Sequence, residues 1–241
     1  MNRMRKIQGA QFLVIILCAL ALKLHYATAS ADQLRWILGP TTALVELFSG
    51  SSFQFESYAG YMSSDHRLLV AASCAGVNFM LTAFLMLTLR VLLRDRSTVL
   101  SWRFIPLLAA FAYITTIIAN TIRICVALWL QHVSDDLRRL SWGQLHRIEG
   151  IIIYFGFLLL LFVLTEKDGT QESTGFVRKM GFTLIVYYST TLIIPLLNGS
   201  YRDRGFFEHS VVVLILPLIM ASLLVALRSL WPKPGPGTWS N

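Results

Sequence analysis

Six apolar stretches, each long enough to cross a bilayer as a helix, dominate this chain of 241 residues. They cover residues 7–26, 68–93, 104–130, 145–165, 180–197 and 210–230. A spanning helix needs about 20 mainly apolar residues. Only 14% of the residues are charged and 55% are hydrophobic, whereas soluble domains carry about 25% charged residues. The sequence therefore predicts an all-α fold, a polytopic transmembrane helix bundle with about six spanning helices.

Three further segments differ from these spans. Residues 34–48 are apolar but are interrupted by Gly39 and Pro40, so we expect an interfacial or re-entrant segment. Residues 51–61 alternate between apolar and polar, which predicts a short extended segment on the surface of the bundle. Residues 232–237 are rich in Pro and Gly. We predict a single integral membrane domain over residues 1–231 and a disordered cytoplasmic tail over 232–241.

The first apolar stretch has two interpretations. Basic residues precede it and Ala27-Thr28-Ala29 follows it, as in a signal peptide that is cleaved. Lys23 and His25, however, make the region after the stretch more basic than such peptides usually are. The stretch is therefore either a retained spanning helix or a cleaved signal, and the rest of the topology is the same in both cases.

The net charge of +8 is distributed as short basic clusters between apolar stretches. This pattern orients a membrane protein and does not build a nucleic-acid-binding face. With the N-terminus inside, the inner segments carry 12 Lys and Arg residues and the outer segments carry eight. The cluster from Arg90 to Arg103 is opposed only by Asp95. We predict a multi-pass protein of the cell inner membrane, with both termini cytoplasmic, the lipid bilayer as a partner and no nucleic acid.

Arg123 lies inside the third apolar stretch, and ionisable residues inside spans are functional candidates because their burial is costly. Cys74 is predicted about two turns into the second span, and His146 opens the fourth span. The predicted topology puts all three near the outer surface on consecutive spans. Each has an ordinary explanation: Arg123 reaching the interface, Cys74 as a small buried hydrophobe, and His146 as an interfacial side chain.

Together these three side chains suit acyl transfer. A thiolate is a nucleophile that a cationic neighbour favours, an imidazole can carry a proton to a leaving amine, and a guanidinium can stabilise an oxyanion. Supporting residues follow from spacing. Asn120 shares the Arg123 face, Asn78 follows Cys74 by one turn, Glu149 lies one turn after His146, and Gly76 permits close approach to Cys74.

The chain resembles the exosortase/archaeosortase family of membrane cysteine transpeptidases. The resemblance rests on Cys74-Ala75-Gly76, on the Asn-x-x-Arg pattern of Asn120 and Arg123, and on His146, in that order on successive spans. It implies that Cys74, Arg123 and His146 are catalytic and that the active site lies on the extracytoplasmic side. The sequence Ser-Cys-Ala-Gly-Val-Asn-Phe and the short chain look most like the compact exosortase K type.

The resemblance also implies a reaction and its partners. Exosortases act on secreted proteins that end in a short recognition motif, a transmembrane helix and a basic cluster. The enzyme would cleave this C-terminal sorting signal on the outer side and transfer the protein to an acceptor nucleophile, without a cofactor.

Other function classes remain open. The chain carries five histidines, which all fall near the predicted outer boundary and could form an outward-facing metal site: His25, His66, His132, His146 and His209. No pair of them has helical ligand spacing. A transporter would carry polar groups near the bilayer midplane, and here they lie near the outer surface. A non-enzymatic channel or membrane assembly factor is the further alternative.

Overall fold

The computed structural model describes residues 2–66, 68–94, 101–133, 142–165, 173–197 and 205–230. Six of the helices in this part of the chain are long and apolar enough to cross a membrane. The predicted all-α polytopic bundle is therefore confirmed, and the chain is a multi-pass membrane protein. The predicted tail lies outside the described residues. The long helices are α1 Asn2–Thr28, α3 Val77–Arg94, α4 Phe104–Val133, α5 Trp142–Leu164, α6 Ser173–Tyr188 and α8 Phe206–Leu230.

The second span begins later than predicted, and this changes the setting of Cys74. The chain forms a short strand at Leu69–Val70 and a 3₁₀ helix at Ala72–Cys74, and α3 begins only at Val77. Gly76 separates the two helices with a φ of +69°, a left-handed conformation that interrupts a right-handed helix. Cys74 therefore lies in the turn before α3 and not two turns inside it, as the hydropathy pattern predicts.

A small antiparallel sheet occupies the segment where extended chain is predicted. It contains β1 (Phe53–Glu56), β2 (Gly60–Ser63) and β3 (Leu69–Val70) in that order. Phe53 pairs with Ser63, and Tyr61 pairs with Val70. The predicted extended segment is confirmed for β1. Its predicted end at residue 61 is too early, because the sheet continues to Val70. The sheet leads the chain directly into the 3₁₀ helix that carries Cys74.

The interrupted apolar segment forms a second, shorter helix, α2 (Arg35–Ser49), which packs against α4. Its 15 residues span only about 22 Å, less than the roughly 30 Å of a hydrocarbon core. Pro40 lies inside the helix and has no N–H to donate to the Trp36 carbonyl one turn earlier. Tyr113 of α4 donates its hydroxyl to that carbonyl at 2.6 Å, and the Trp36 and Tyr113 rings stack 5.7 Å apart. The proline therefore creates the acceptor that joins α2 to α4.

The fifth span begins at Ser173, earlier than the predicted residue 180. After α6 the chain continues as a π-helix at Ser189–Ile193 and as α7 at Ile194–Leu197. α5 packs against α3, α4 and α8. Because the spans alternate in direction, the start of α5 lies at the same end of the bundle as the end of α4 and the start of α8.

Candidate functional site

A cavity of about 220 Å³, lined by both polar and apolar side chains, lies where these helix ends meet. Ser73 and Gly76, on either side of Cys74, both contribute to its wall. Residues from α1, α4, α5, the π-helix and α8 also line it, including Tyr26, Arg123, His146, Thr191 and His209. The fold therefore brings together residues that are separated by more than a hundred positions in the sequence.

Arg123 and His146 are in direct contact in this cavity. Arg123 Nη2 and His146 Nε2 are 2.6 Å apart. A guanidinium only donates hydrogen bonds, so His146 Nε2 is the acceptor and we assign the imidazole proton to Nδ1. That atom lies 3.3 Å from Glu149 Oε2, three residues later on α5. Glu149 is buried. The arrangement orients the imidazole between a cation and a carboxylate.

Asn120 fixes the turn that carries Cys74. Its side-chain Nδ2 donates a hydrogen bond to the Cys74 carbonyl oxygen at 2.5 Å. Its Oδ1 accepts a hydrogen bond from the Tyr154 hydroxyl at 2.8 Å. Cys74 is half-buried and lies close enough to Arg123 for the two side chains to interact electrostatically. Asn120 thus reaches Arg123 through Tyr154, in addition to sharing its helix face as the spacing predicts.

Gly76 and Asn78 shape the other side of the cavity. A side chain at Gly76 would place its Cβ 3.2 Å from Thr116 Cγ2 and 3.3 Å from the Tyr154 hydroxyl oxygen. Gly76 therefore permits close packing of the Cys74 turn on α4 and α5. Asn78 lines the cavity and accepts a hydrogen bond from Lys23 Nζ, so it connects α3 to α1.

Two residues that pack directly on the Arg123 side chain are absent from the set chosen by sequence. Tyr154 accepts a hydrogen bond from Arg123 Nη1 at 3.4 Å while it donates to Asn120. A Cβ on Gly150 would lie 2.9 Å from Arg123 Nε, so only glycine leaves room for that side chain. Both residues follow His146 at four-residue intervals. The sequence could therefore have indicated both residues, because they lie on the same helix face as His146.

The described residues offer no cluster of ligands for the outward-facing metal site considered above. Within the described ranges, no three His, Cys, Asp or Glu side chains are grouped as a metal site would require. His209 lines the cavity, whereas His25 and His66 are exposed on other parts of the structure. The polar groups that do converge are a thiol, a guanidinium, an imidazole and a carboxylate.

The family model described as transmembrane exosortase matches residues 11–164, more than half of the chain. The chain belongs to the transmembrane exosortase family. The matched range includes Cys74, Arg123 and His146, and it ends with the last residue of α5. No curated protein and no solved structure matches the chain. Membership of the exosortases, inferred from a few short motifs, is therefore confirmed, and the K type stays a prediction.

The part of this exosortase beyond the family match also contributes to the cavity. Tyr187 of α6, Thr191 of the π-helix, and His209 and Val213 of α8 complete its wall. Arg147 also lines the cavity, and its guanidinium packs against Gly205 at the start of α8. The cavity is therefore a joint product of the matched region and the helices that follow it.

Proposed function

We propose that this exosortase is a membrane cysteine protease and transpeptidase that cleaves a C-terminal sorting signal from secreted proteins. The observation that supports this most strongly is one connected network of polar side chains at the Cys74 turn. It links the Cys74 carbonyl to Asn120, Tyr154 and Arg123 by hydrogen bonds, and Arg123 in turn contacts His146. Buried polar networks are costly unless satisfied, so a network beside a thiol favours a chemical role.

In the first step the Cys74 thiolate attacks the carbonyl carbon of the scissile peptide bond. Arg123 donates hydrogen bonds to the resulting oxyanion, and its planar fork offers two donors to one oxygen. The Arg123 guanidinium turns from His146 Nε2 to the oxyanion, which frees Nε2 to take the proton of the thiol. His146 then gives this proton to the leaving amine as the C–N bond breaks. The Glu149 carboxylate, whose Oε2 lies 3.3 Å from Nδ1, favours the proton on Nδ1 and leaves Nε2 as the basic nitrogen. The products are a thioester on Cys74 and the released C-terminal helix.

In the second step an acceptor nucleophile attacks the thioester. Its attacking atom bonds to the carbonyl carbon, the C–S bond breaks, and His146 accepts the proton that the nucleophile loses. Dividing the reaction in this way replaces one difficult amide cleavage by two easier steps. The substrates in this proposal are secreted proteins with a recognition motif, a transmembrane helix and a basic cluster at the C-terminus.

The proposal includes an orientation, with both termini in the cytoplasm and the Cys74 end of the bundle on the outer side of the inner membrane. The support is the excess of Lys and Arg in the inner segments. Ser64 is exposed and belongs to the segment that leads into Cys74. In a background without native cysteines, an impermeant maleimide added to intact cells should label Ser64→Cys and spare Ser97→Cys. Labelling of Ser97→Cys alone would reverse the orientation.

Replacement of Cys74 tests the reaction directly. Cys74→Ala removes the nucleophile, so uncleaved precursor should accumulate in the membrane. Cys74→Ser should fail too, because a hydroxyl ionises far less readily than a thiol. The matched controls are Cys125→Ala and Cys18→Ala, which each lose one small side chain outside the polar network and should process normally. The measurement is the ratio of precursor to mature substrate at equal enzyme level. Normal maturation with Cys74→Ala would refute the transpeptidase proposal.

A further inference from the structure

We propose that Tyr154 is a positioning residue whose hydroxyl couples Arg123 to the backbone of Cys74. The inference rests on the proposed function wherever it concerns the processing of substrate. Tyr154 lies on α5 and its hydroxyl bonds to two residues of α4. Neither a motif nor a charge in the sequence marks this tyrosine.

The hydroxyl makes two bonds of opposite sense. It donates its proton to Asn120 Oδ1 at 2.8 Å and accepts from Arg123 Nη1, 3.4 Å away. Asn120 then donates from Nδ2 to the Cys74 carbonyl. Every donor in this series points the same way, from the guanidinium towards Cys74. Hydrogen bonds aligned in series polarise one another, so the Arg123 charge strengthens the bond that holds the Cys74 turn.

The tyrosine ring has its own anchor. It stacks on Phe79 of α3 with ring centres 5.0 Å apart and planes inclined by 16°. The Arg123 guanidinium carbon lies 5.4 Å from the centre of the same ring. Because these contacts involve the ring, Tyr154→Phe should keep them and remove only the hydroxyl. The substitution is therefore a test of the two hydrogen bonds and not of the packing.

Removal of the hydroxyl should affect both of its partners. Asn120 is fully buried, so its Oδ1 would lose its donor in a place that water does not reach. Arg123 would keep His146 and lose the bond that faces the Cys74 side. The guanidinium would then be held less firmly beside the thiol, and a thiolate depends on a nearby fixed cation. Tyr154 thus acts through Arg123 and Asn120.

The test measures the reactivity of Cys74 without needing a substrate. In purified protein with Cys18 and Cys125 replaced by Ala, the rate of Cys74 alkylation by iodoacetamide should fall roughly tenfold in Tyr154→Phe. The thermal unfolding midpoint should fall by only a few degrees, because one buried acceptor, Asn120 Oδ1, loses its donor. The matched control is Tyr113→Phe, which removes a hydroxyl bonded to the Trp36 carbonyl and should leave the alkylation rate unchanged.

A double substitution distinguishes a positioning role from an independent one. If Tyr154 acts through Arg123, Tyr154→Phe should slow alkylation much less in an Arg123→Lys background than in the parent. Fully additive losses would overturn the proposal. So would an unchanged rate in the single variant, or a faster rate with a lower unfolding midpoint, which would indicate loosened packing.

The two proposals fail in different ways. Slowed alkylation, with no precursor processed by any form of the protein, would leave the Tyr154 inference standing and remove the transpeptidase function. Processing that depends on Cys74 but not on the Tyr154 hydroxyl would do the reverse.

Discussion

Arg123 and Arg90 both lie in spanning helices, but they are bound in different ways at opposite ends of the bundle. Arg123 contacts side chains that can take part in chemistry, namely His146 and Tyr154. Arg90 donates to the Phe162 carbonyl at 2.9 Å and to the Thr165 hydroxyl at 3.1 Å, at the end of α5. Both positions would look alike in a survey of charges within apolar stretches.

The difference teaches how to separate a structural arginine from a functional candidate. The last carbonyls of a helix lack partners within it, and a cation there satisfies them and complements the helix dipole. Arg90 does this for α5, and its guanidinium also lies 4.6 Å from the centre of the Phe162 ring. Arg123 instead lies within α4, far from its last turn, so no helix end accounts for its burial.

The largest contrast should come from replacing each arginine by lysine. Arg123→Lys keeps the charge and loses the fork, so substrate processing should fall by roughly 10²–10³-fold at equal protein level. Arg90→Lys can still reach a carbonyl. It should lower the free energy of unfolding by about 1 kcal/mol and leave processing per molecule near the parent value. Precursor-to-mature ratios and thermal unfolding in detergent provide the two measurements. Equal processing by the two variants would show that the Arg123 contacts are structural as well.

A smaller effect is expected from crowding Arg123 without touching it chemically. In Gly150→Ala the new Cβ would lie 2.9 Å from Arg123 Nε, so the guanidinium must move. A shift of this kind should reduce processing by roughly ten- to a hundredfold. Gly156→Ala is the matched control on the same helix, because within the described part of the chain its Cβ would meet only Met220 Cε, at 3.7 Å.

Both of these alanine variants should fold, because alanine favours a helix over glycine by about 1 kcal/mol. Lower processing with undiminished protein is therefore the expected signature of Gly150→Ala. If the Gly150 and Gly156 variants process substrate equally well, the position of Arg123 does not limit the reaction.

Hydropathy predicts the bundle well and the site only in part. Spans are set by long apolar stretches, which any sequence window reveals, and six of them recur in the structure. The Cys74 turn was missed because residues 68–76 are as apolar as a helix, while the left-handed Gly76 and the sheet that precede α3 depend on tertiary packing. Spacing does place Asn120 and Arg123 on one face, and the family motifs point to His146.

The remaining site residues depend on contacts between helices, which a single sequence does not encode in local patterns. The pairing of Asn78 with Lys23 joins residues 55 positions apart. Tyr154 looks like an ordinary aromatic residue of an apolar span until α4 is packed beside it. Gly150 also looks ordinary in the sequence, because what it contributes is the lack of a side chain in the space that Arg123 fills.

The smallest predicted effect separates backbone strain from crowding at the Cys74 turn. Gly76 and Gly50 both have a φ of +69°, which costs an alanine about 1–2 kcal/mol. Among the residues that the structure describes, none lies within 4 Å of a new Cβ at Gly50. At Gly76 it would meet Thr116 and Tyr154 at 3.2 and 3.3 Å, and Asn120 Cγ at 3.5 Å. The distances to Thr116 and Tyr154 require shifts of a few tenths of an ångström, whereas the distance to Asn120 is an ordinary contact.

Gly50→Ala and Gly76→Ala should therefore lower the unfolding midpoint by similar amounts, because they share the strained backbone. Only Gly76→Ala should also reduce processing, by roughly threefold to tenfold, because it displaces the Tyr154 hydroxyl, which bonds to the Asn120 side chain that holds the Cys74 carbonyl. Processing is compared at equal amounts of folded protein, so that the shared loss of stability cancels. A parallel loss of processing in Gly50→Ala would mean that strain alone limits activity. The fit of the Cys74 turn against α4 and α5 would then have no separate part in the reaction.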